Sequence, residues 1–112
     1  PAPAYQAADL FVMPSSYEGW GLVLAEALAC GLPAVVSRFP GSVAMVAPQV
    51  NGLLLDSARD EAELARALDA ALLPTVHEAM AAAARPSVAR YGWPEVGRTL
   101  VELGLRAAAK RR

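Results

Sequence analysis

The chain has 112 residues, 55% hydrophobic and 19% charged, with a formal net charge of −1 and one cysteine. Such a length holds one domain at most. The charge balance excludes a general electrostatic pull toward nucleic acid, and a lone cysteine excludes an internal disulfide.

No Cys/His cluster has metal-ligand spacing, so neither a metal nor a cofactor is expected. For a small domain the composition is greasy, which implies that further chain covers part of the apolar surface. The first residue is Pro1 rather than Met and no signal peptide is visible, so a fragment from a reducing, cytoplasmic setting is expected. The greasiest region, Gly19 to Val36, is broken by Glu26, Gly31 and Pro33 and does not read as a membrane span.

In chain order, Pro1 to Asp9 reads as a surface connection with a short helical turn. Leu10 to Met13 is a brief apolar run ended by Pro14, the pattern of a strand buried on both faces. Pro14 to Pro33 reads as a loop, a helix over Gly21 to Cys30 and a closing Gly31 turn. At about 100° per residue, Glu26 has Leu22, Val23, Ala29 and Cys30 as nearest neighbours, with Leu24 and Leu28 opposite. A helix apolar on every side but one carboxylate is expected to be buried, and Glu26 then needs a polar partner from outside its helix.

The start of that helix offers unpaired N–H groups beside Gly19 and Gly21, a natural seat for a phosphate. The chemistry points to a phosphate near residues 19 to 22 and a hydroxyl-rich ligand against Glu18 and Glu26. Two plainer readings stand beside it. Ser15 and Glu18 have capping-box spacing, and Glu26 can bond a buried backbone N–H or face a solvent gap.

Ala34 to Ser37 is the next strand, so strand, helix and strand form a right-handed βαβ unit. Its ligand crevice lies at the carboxyl ends of the strands. Arg38 to Ser42 reads as a loop at the same edge, Asn51-Gly52 as a turn and Leu53 to Leu55 as a third strand. Asp60 and Glu63 have capping-box spacing and open a helix to about Leu73, with Leu64, Ala67, Leu68, Ala71 and Leu72 facing the core. Val76 to Arg90 reads as an alanine-rich helix interrupted at Pro86, with His77 a surface residue near its start. Pro94 opens a last helix to about Ala109, whose Val96, Leu100, Leu103 and Ala107 form a packing stripe.

The stretch Pro-Ser-Ser-Tyr-Glu-Gly-Trp-Gly-Leu…Glu-Ala-Leu-Ala-Cys-Gly-Leu-Pro resembles the signature of retaining glycosyltransferases of the GT-B fold, the large family 4 (glycosyl transferases group 1). Pro14, Ser15, Glu18, Gly19, Gly21, Leu22, Glu26, Ala27, Gly31 and Pro33 all match its pattern. The resemblance runs from residue 5 to about 107. It implies an α/β fold, the distal half of a Rossmann-like parallel-sheet domain, with residues 1–92 binding a nucleotide sugar. It further implies that residues 93–112 form a terminal helix crossing to a partner domain, followed by a basic tail.

The resemblance also assigns roles. Glu18 contacts hydroxyls of the donor hexose as the catalytic residue, and Ser15, Gly19, Trp20, Gly21 and Leu22 surround the donor sugar and phosphates. Glu26 binds the ribose diol of a UDP- or GDP-linked sugar. The family's Gly-Gly-x-x-Glu stretch is replaced here by Pro40-Gly41-Ser42-Val43-Ala44, leaving Arg38 and Ser42 as candidate contacts.

The implied enzyme transfers a hexosyl group to an acceptor hydroxyl with retention, and needs an N-terminal acceptor domain and a basic pair from upstream chain. The alternatives are a GT-B nucleotide-sugar module with another reaction, such as an epimerase or phosphorylase, and a structural remnant. A peripheral contact of Lys110 to Arg112 with an anionic inner membrane face is the weakest expectation, because three charges supply little affinity.

Overall fold

The computed structural model describes residues 2–111, without the side chains of Ala2 and Trp93. Pro1 and Arg112, the last residue of the basic tail, lie outside the described residues. The elements in order are α1 (Ala2–Ala7), β1 (Phe11–Met13), α2 (Leu22–Ala29), β2 (Ala34–Ser37), α3 (Pro40–Met45), β3 (Gly52–Leu55), α4 (Glu61–Ala71) and α5 (Pro74–Ser87). A 3₁₀ turn (Ala89–Tyr91) and α6 (Trp93–Lys110) follow.

The three strands form one parallel sheet in the order β1-β2-β3. Central β2 is buried along its length, and its alternating side chains divide the core. Ala34 and Val36 pack with Leu24, Leu28, Ala84 and Val88 on the α2/α5 side. Val35 packs with Leu55 and Ala71 on the α4 side. Parallel strands covered on both faces read as continuous apolar runs, and β2 is such a strand.

β1 departs from that expectation. Its Phe11 and Met13 face the α2 side, but Val12 on the other face is 39% exposed. The reason is topological: β1 is an edge strand, and α4 packs on β2 and β3 instead.

Further expectations change. Arg38 to Ser42 is not a loop, because α3 begins at Pro40, a residue whose fixed φ and missing N–H suit a helix start. Asn51 is more than a turn residue. It is fully buried; its Oδ1 accepts from Ala47 N (2.8 Å) while its Nδ2 donates to Met45 O (2.9 Å) and Ser87 Oγ (2.8 Å), tying α3 to α5.

Only half of the Asp60/Glu63 capping box forms. Asp60 Oδ1 accepts from Glu63 N (3.0 Å), but the Glu63 carboxylate accepts from the N–H groups of Asp56 and Ser57. On α4, Ala71 is buried, Leu64, Ala67 and Leu68 are half-buried, and Leu72 lies exposed. Pro86 does not interrupt α5, which runs on to Ser87. His77, half-buried, places Nε2 2.5 Å from the Asp9 carbonyl oxygen and so holds the lead-in to β1.

α6 carries the expected stripe, yet Leu100, Leu103 and Ala107 are exposed and Val96 is half-buried. The helix packs on the 3₁₀ turn at its start. Its Glu95–Arg98 and Glu102–Arg106 pairs are solvent-exposed and add little. Among the described residues, no helix is long and apolar enough to cross a membrane.

Asn51→Ala strands a buried N–H and a buried carbonyl, each worth about 1–3 kcal/mol when left unpaired. Urea denaturation of the protein is expected to show a lower midpoint with an unchanged slope. Asn51→Asp, which sets a buried carboxylate oxygen against the Met45 carbonyl, should lower the midpoint at least as far.

Candidate functional site

The loop after β1 is held from three sides. Ser37, buried at the end of β2, donates its hydroxyl to the Ser15 carbonyl (2.5 Å). Ser42 closes the opposite side. Its Oγ accepts from Phe39 N (2.8 Å) and donates to Ser37 O (2.7 Å). Fully buried and saturated, Ser42 braces the chain and is removed from the candidate contacts. The third side is a direct backbone contact: a Cβ added at Gly41 would lie 1.5 Å from the Trp20 carbonyl oxygen. Only a glycine lets the start of α3 come so close to the loop.

Gly21 is required for a different reason from the one its sequence suggests. It is buried, with φ +84°, and an added Cβ would meet the Phe39 ring at 2.8 Å. Gly21 therefore sets the turn into α2. Gly19, by contrast, has open space around it.

Gly21 is the N-cap of α2, and no side chain caps that helix. The Ser15/Glu18 capping box consequently does not form. The N–H groups of Leu22, Val23 and Leu24 find no acceptor among the described residues; the first bond, from Ala25 N, goes to Gly21 O (3.2 Å). These amides and the positive end of the helix dipole form a seat for an anion.

Glu18 is half-buried, and no described residue donates to its carboxylate. Half-buried Ser15 lies at the foot of the loop. Trp20 is exposed, its ring edge-on to Tyr91 with centroids 5.6 Å apart. Leu22 is 71% exposed at the first helical position.

Glu26 overturns the burial expectation. α2 buries only Leu24, Ala27 and Leu28; the stripe of Leu22, Val23, Glu26 and Ala29 is exposed. Solvent, rather than an obligatory partner, thus relieves the charge. One carboxylate oxygen accepts from the Tyr5 hydroxyl (3.0 Å), a contact the sequence did not announce because the residues stand 21 positions apart. No main-chain group satisfies Glu26 among the described residues. Beside it opens a groove of about 540 Å³ lined by Leu22, Ala25, Glu26, Ala29, Val88 and Tyr91.

Arg38 is exposed and its Nε lies 2.9 Å from Asp56 Oδ1, a solvent-exposed pair that holds it only weakly. Among the described residues, no group of acids, histidines and cysteine could hold a metal ion. The N-terminal end of α2 presents three amides, and the exposed stripe carries a carboxylate about 6 Å further along the axis.

Residues 2–86 match the family described as Glycosyl transferases group 1. The chain belongs to that family. The chain is 38% identical over 108 residues to a D-inositol 3-phosphate glycosyltransferase of Xylanimonas cellulosilytica. The match covers 96% of the chain and 26% of the relative.

It is 44% identical over 100 residues to a protein of the same name from Corynebacterium urealyticum, covering 88% of the chain and 23% of the relative. A sucrose-phosphate synthase from Thermosynechococcus elongatus has a similar structure, with a TM-score of 0.84 and 33% identity. That match covers 96% of this chain and 27% of the other. The chain spans about a quarter of the length of these proteins. Its fold is the α/β, Rossmann-like class of the GT-B glycosyltransferases.

Gly41→Ala is expected to expel the loop from its seat, with a lowered thermal midpoint and faster proteolysis between residues 17 and 21. Gly97→Ala, on α6 with nothing near its added Cβ, should leave both readouts unchanged or raise the midpoint slightly.

Proposed function

We propose that this chain is the donor-binding part of a retaining glycosyltransferase. It takes a nucleoside diphosphate sugar, UDP- or GDP-linked, and passes the hexosyl group to an acceptor hydroxyl in the cytoplasm. The reading rests on the unpaired amides at the start of α2, with the Glu26 carboxylate one turn further on beside an open groove. A diphosphate at the amides and a ribose diol at Glu26 use both features with one ligand. Glu18, with no donor among the described residues, is the group left to contact the hexose hydroxyls.

In the transfer, the acceptor oxygen bonds to the anomeric carbon as the bond from that carbon to the diphosphate breaks. The electron pair of the broken bond departs with the nucleoside diphosphate, whose leaving oxygen takes up the proton of the acceptor hydroxyl. Charge therefore grows on the diphosphate in the transition state, where fixed donors and a helix dipole act most strongly. The amides of Leu22 to Leu24 supply that stabilisation here without reorganising.

The donor's remaining contacts, a basic pair and an acceptor-binding domain, belong to the rest of the protein. The relatives' greater length is compatible with that division. The isolated chain is accordingly expected to transfer no sugar; turnover of a radiolabelled UDP- or GDP-sugar by residues 1–112 alone would refute this division of labour.

Glu26→Ala in the full-length context is expected to weaken nucleoside diphosphate binding about 10- to 100-fold, as the loss of hydrogen bonds to a charged group implies. Glu18→Ala should leave the nucleoside diphosphate affinity near its starting value and lower that of the intact nucleotide sugar. Titration calorimetry separates the two. Unchanged donor binding in both variants removes the ligand reading.

A further inference from the structure

We propose that Tyr5 is a positioning residue for Glu26, holding one carboxylate oxygen so that the other is presented to the hydroxyls of a ribose. The proposal deepens the donor-site reading above and depends on it. Tyr5 stands on α1, before the first strand, and reaches across to the middle of α2: its hydroxyl donates to Glu26 Oε2 over 3.0 Å. Its ring is anchored in turn, edge-on against Phe11 with centroids 6.4 Å apart. Phe11 is itself bonded into the sheet through its N–H to the Pro33 carbonyl (3.0 Å). The phenol is therefore carried by α1 and braced by β1, elements other than the helix that bears Glu26.

That geometry answers a problem created by the exposure of Glu26. A glutamate on an open helix face has three rotatable side-chain torsions, and a ligand that captures it must freeze them. A donor anchored on another element removes part of that freedom in advance. A carboxylate offers about four lone-pair sites, so one bond from Tyr5 still leaves room for two ribose hydroxyls. Oε1 has no partner among the described residues.

The phenol is also suited to remain a donor. Its pKa is raised, first by partial burial and then by the hydrogen bond and charge of Glu26. It stays protonated throughout the neutral range.

The test is titration calorimetry on the full-length protein with UDP and GDP and with their 2′,3′-dideoxy counterparts. Tyr5→Phe keeps the ring against Phe11 and removes only the hydroxyl. It is expected to weaken the ribonucleotide about three- to tenfold and to leave the dideoxy form unchanged, so that the preference for the diol shrinks. Glu26→Ala should abolish the preference outright.

Undiminished preference in Tyr5→Phe, together with its loss in Glu26→Ala, overturns the role of Tyr5 and leaves the ribose site standing. An equal loss for both nucleotide forms in Tyr5→Phe makes Tyr5 a packing residue, which also overturns it. A wild-type protein indifferent to the diol, or a Glu26→Ala variant that keeps the preference, overturns the ribose site itself.

Discussion

The close approach of Gly41 to the Trp20 carbonyl is the contact on which the site depends. It brings two connections, one leaving β1 and one leaving β2, into backbone-to-backbone contact at the same edge of the sheet. Such contact has no side chain to adjust, so the path of residues 18 to 21 is set by main-chain geometry. Ser37 and Ser42 fasten the same junction with three short hydrogen bonds, all turned inward. The result is a loop that is exposed at Trp20 and Gly19 but rigidly seated beneath. Rigid seating would matter at the proposed donor site, because donors aimed before the ligand arrives lose little to reorganisation.

The unusual order of priorities along α2 follows from that seating. One side of the helix is committed to the core through Leu24, Ala27 and Leu28, which are fully buried. The opposite side is apolar too, yet open, with a carboxylate in its middle. An apolar stripe beside a groove is the setting in which a partly apolar ligand with a hydroxyl-bearing end is bound, the apolar walls excluding water around a few placed polar groups. The helix thus commits one side to packing and leaves the other, with its carboxylate, open for the proposed donor.

Much of this was legible in the sequence. The strand at Ala34 to Ser37 was readable because a strand covered on both faces has to be apolar without interruption. The end of α2 was readable to within a residue because Gly31, which adopts positive φ, stops a helix; its start was read one residue early, with Gly21 placed inside the helix it caps. Family membership was legible in the same stretch.

What the sequence withheld was tertiary. Glu26 looked buried because an all-apolar helix normally is, and periodicity does not reveal which faces neighbouring elements reach. Leu10 to Met13 looked covered on both sides because the same run fits a central strand and an edge strand. Asn51 looked like a turn residue because Asn-Gly commonly is one; its partners at Met45, Ala47 and Ser87 exist only once α5 has docked. Ser42 looked like a contact for a ligand because nothing local says that its hydroxyl faces inward.

The edge position of β1 bears on how the polypeptide behaves in isolation. With a single neighbour in the sheet, half of the strand's peptide groups point away from β2 into whatever lies alongside, and Val12 adds a bare apolar surface there. Water satisfies the peptides but not the valine. Parallel sheets are stable when wrapped, and an unwrapped margin of this kind is sticky toward any extended segment. At three residues the margin is short, which limits how much pairing it can template, so its consequence is confined to one uncovered valine and the few peptide groups beside it.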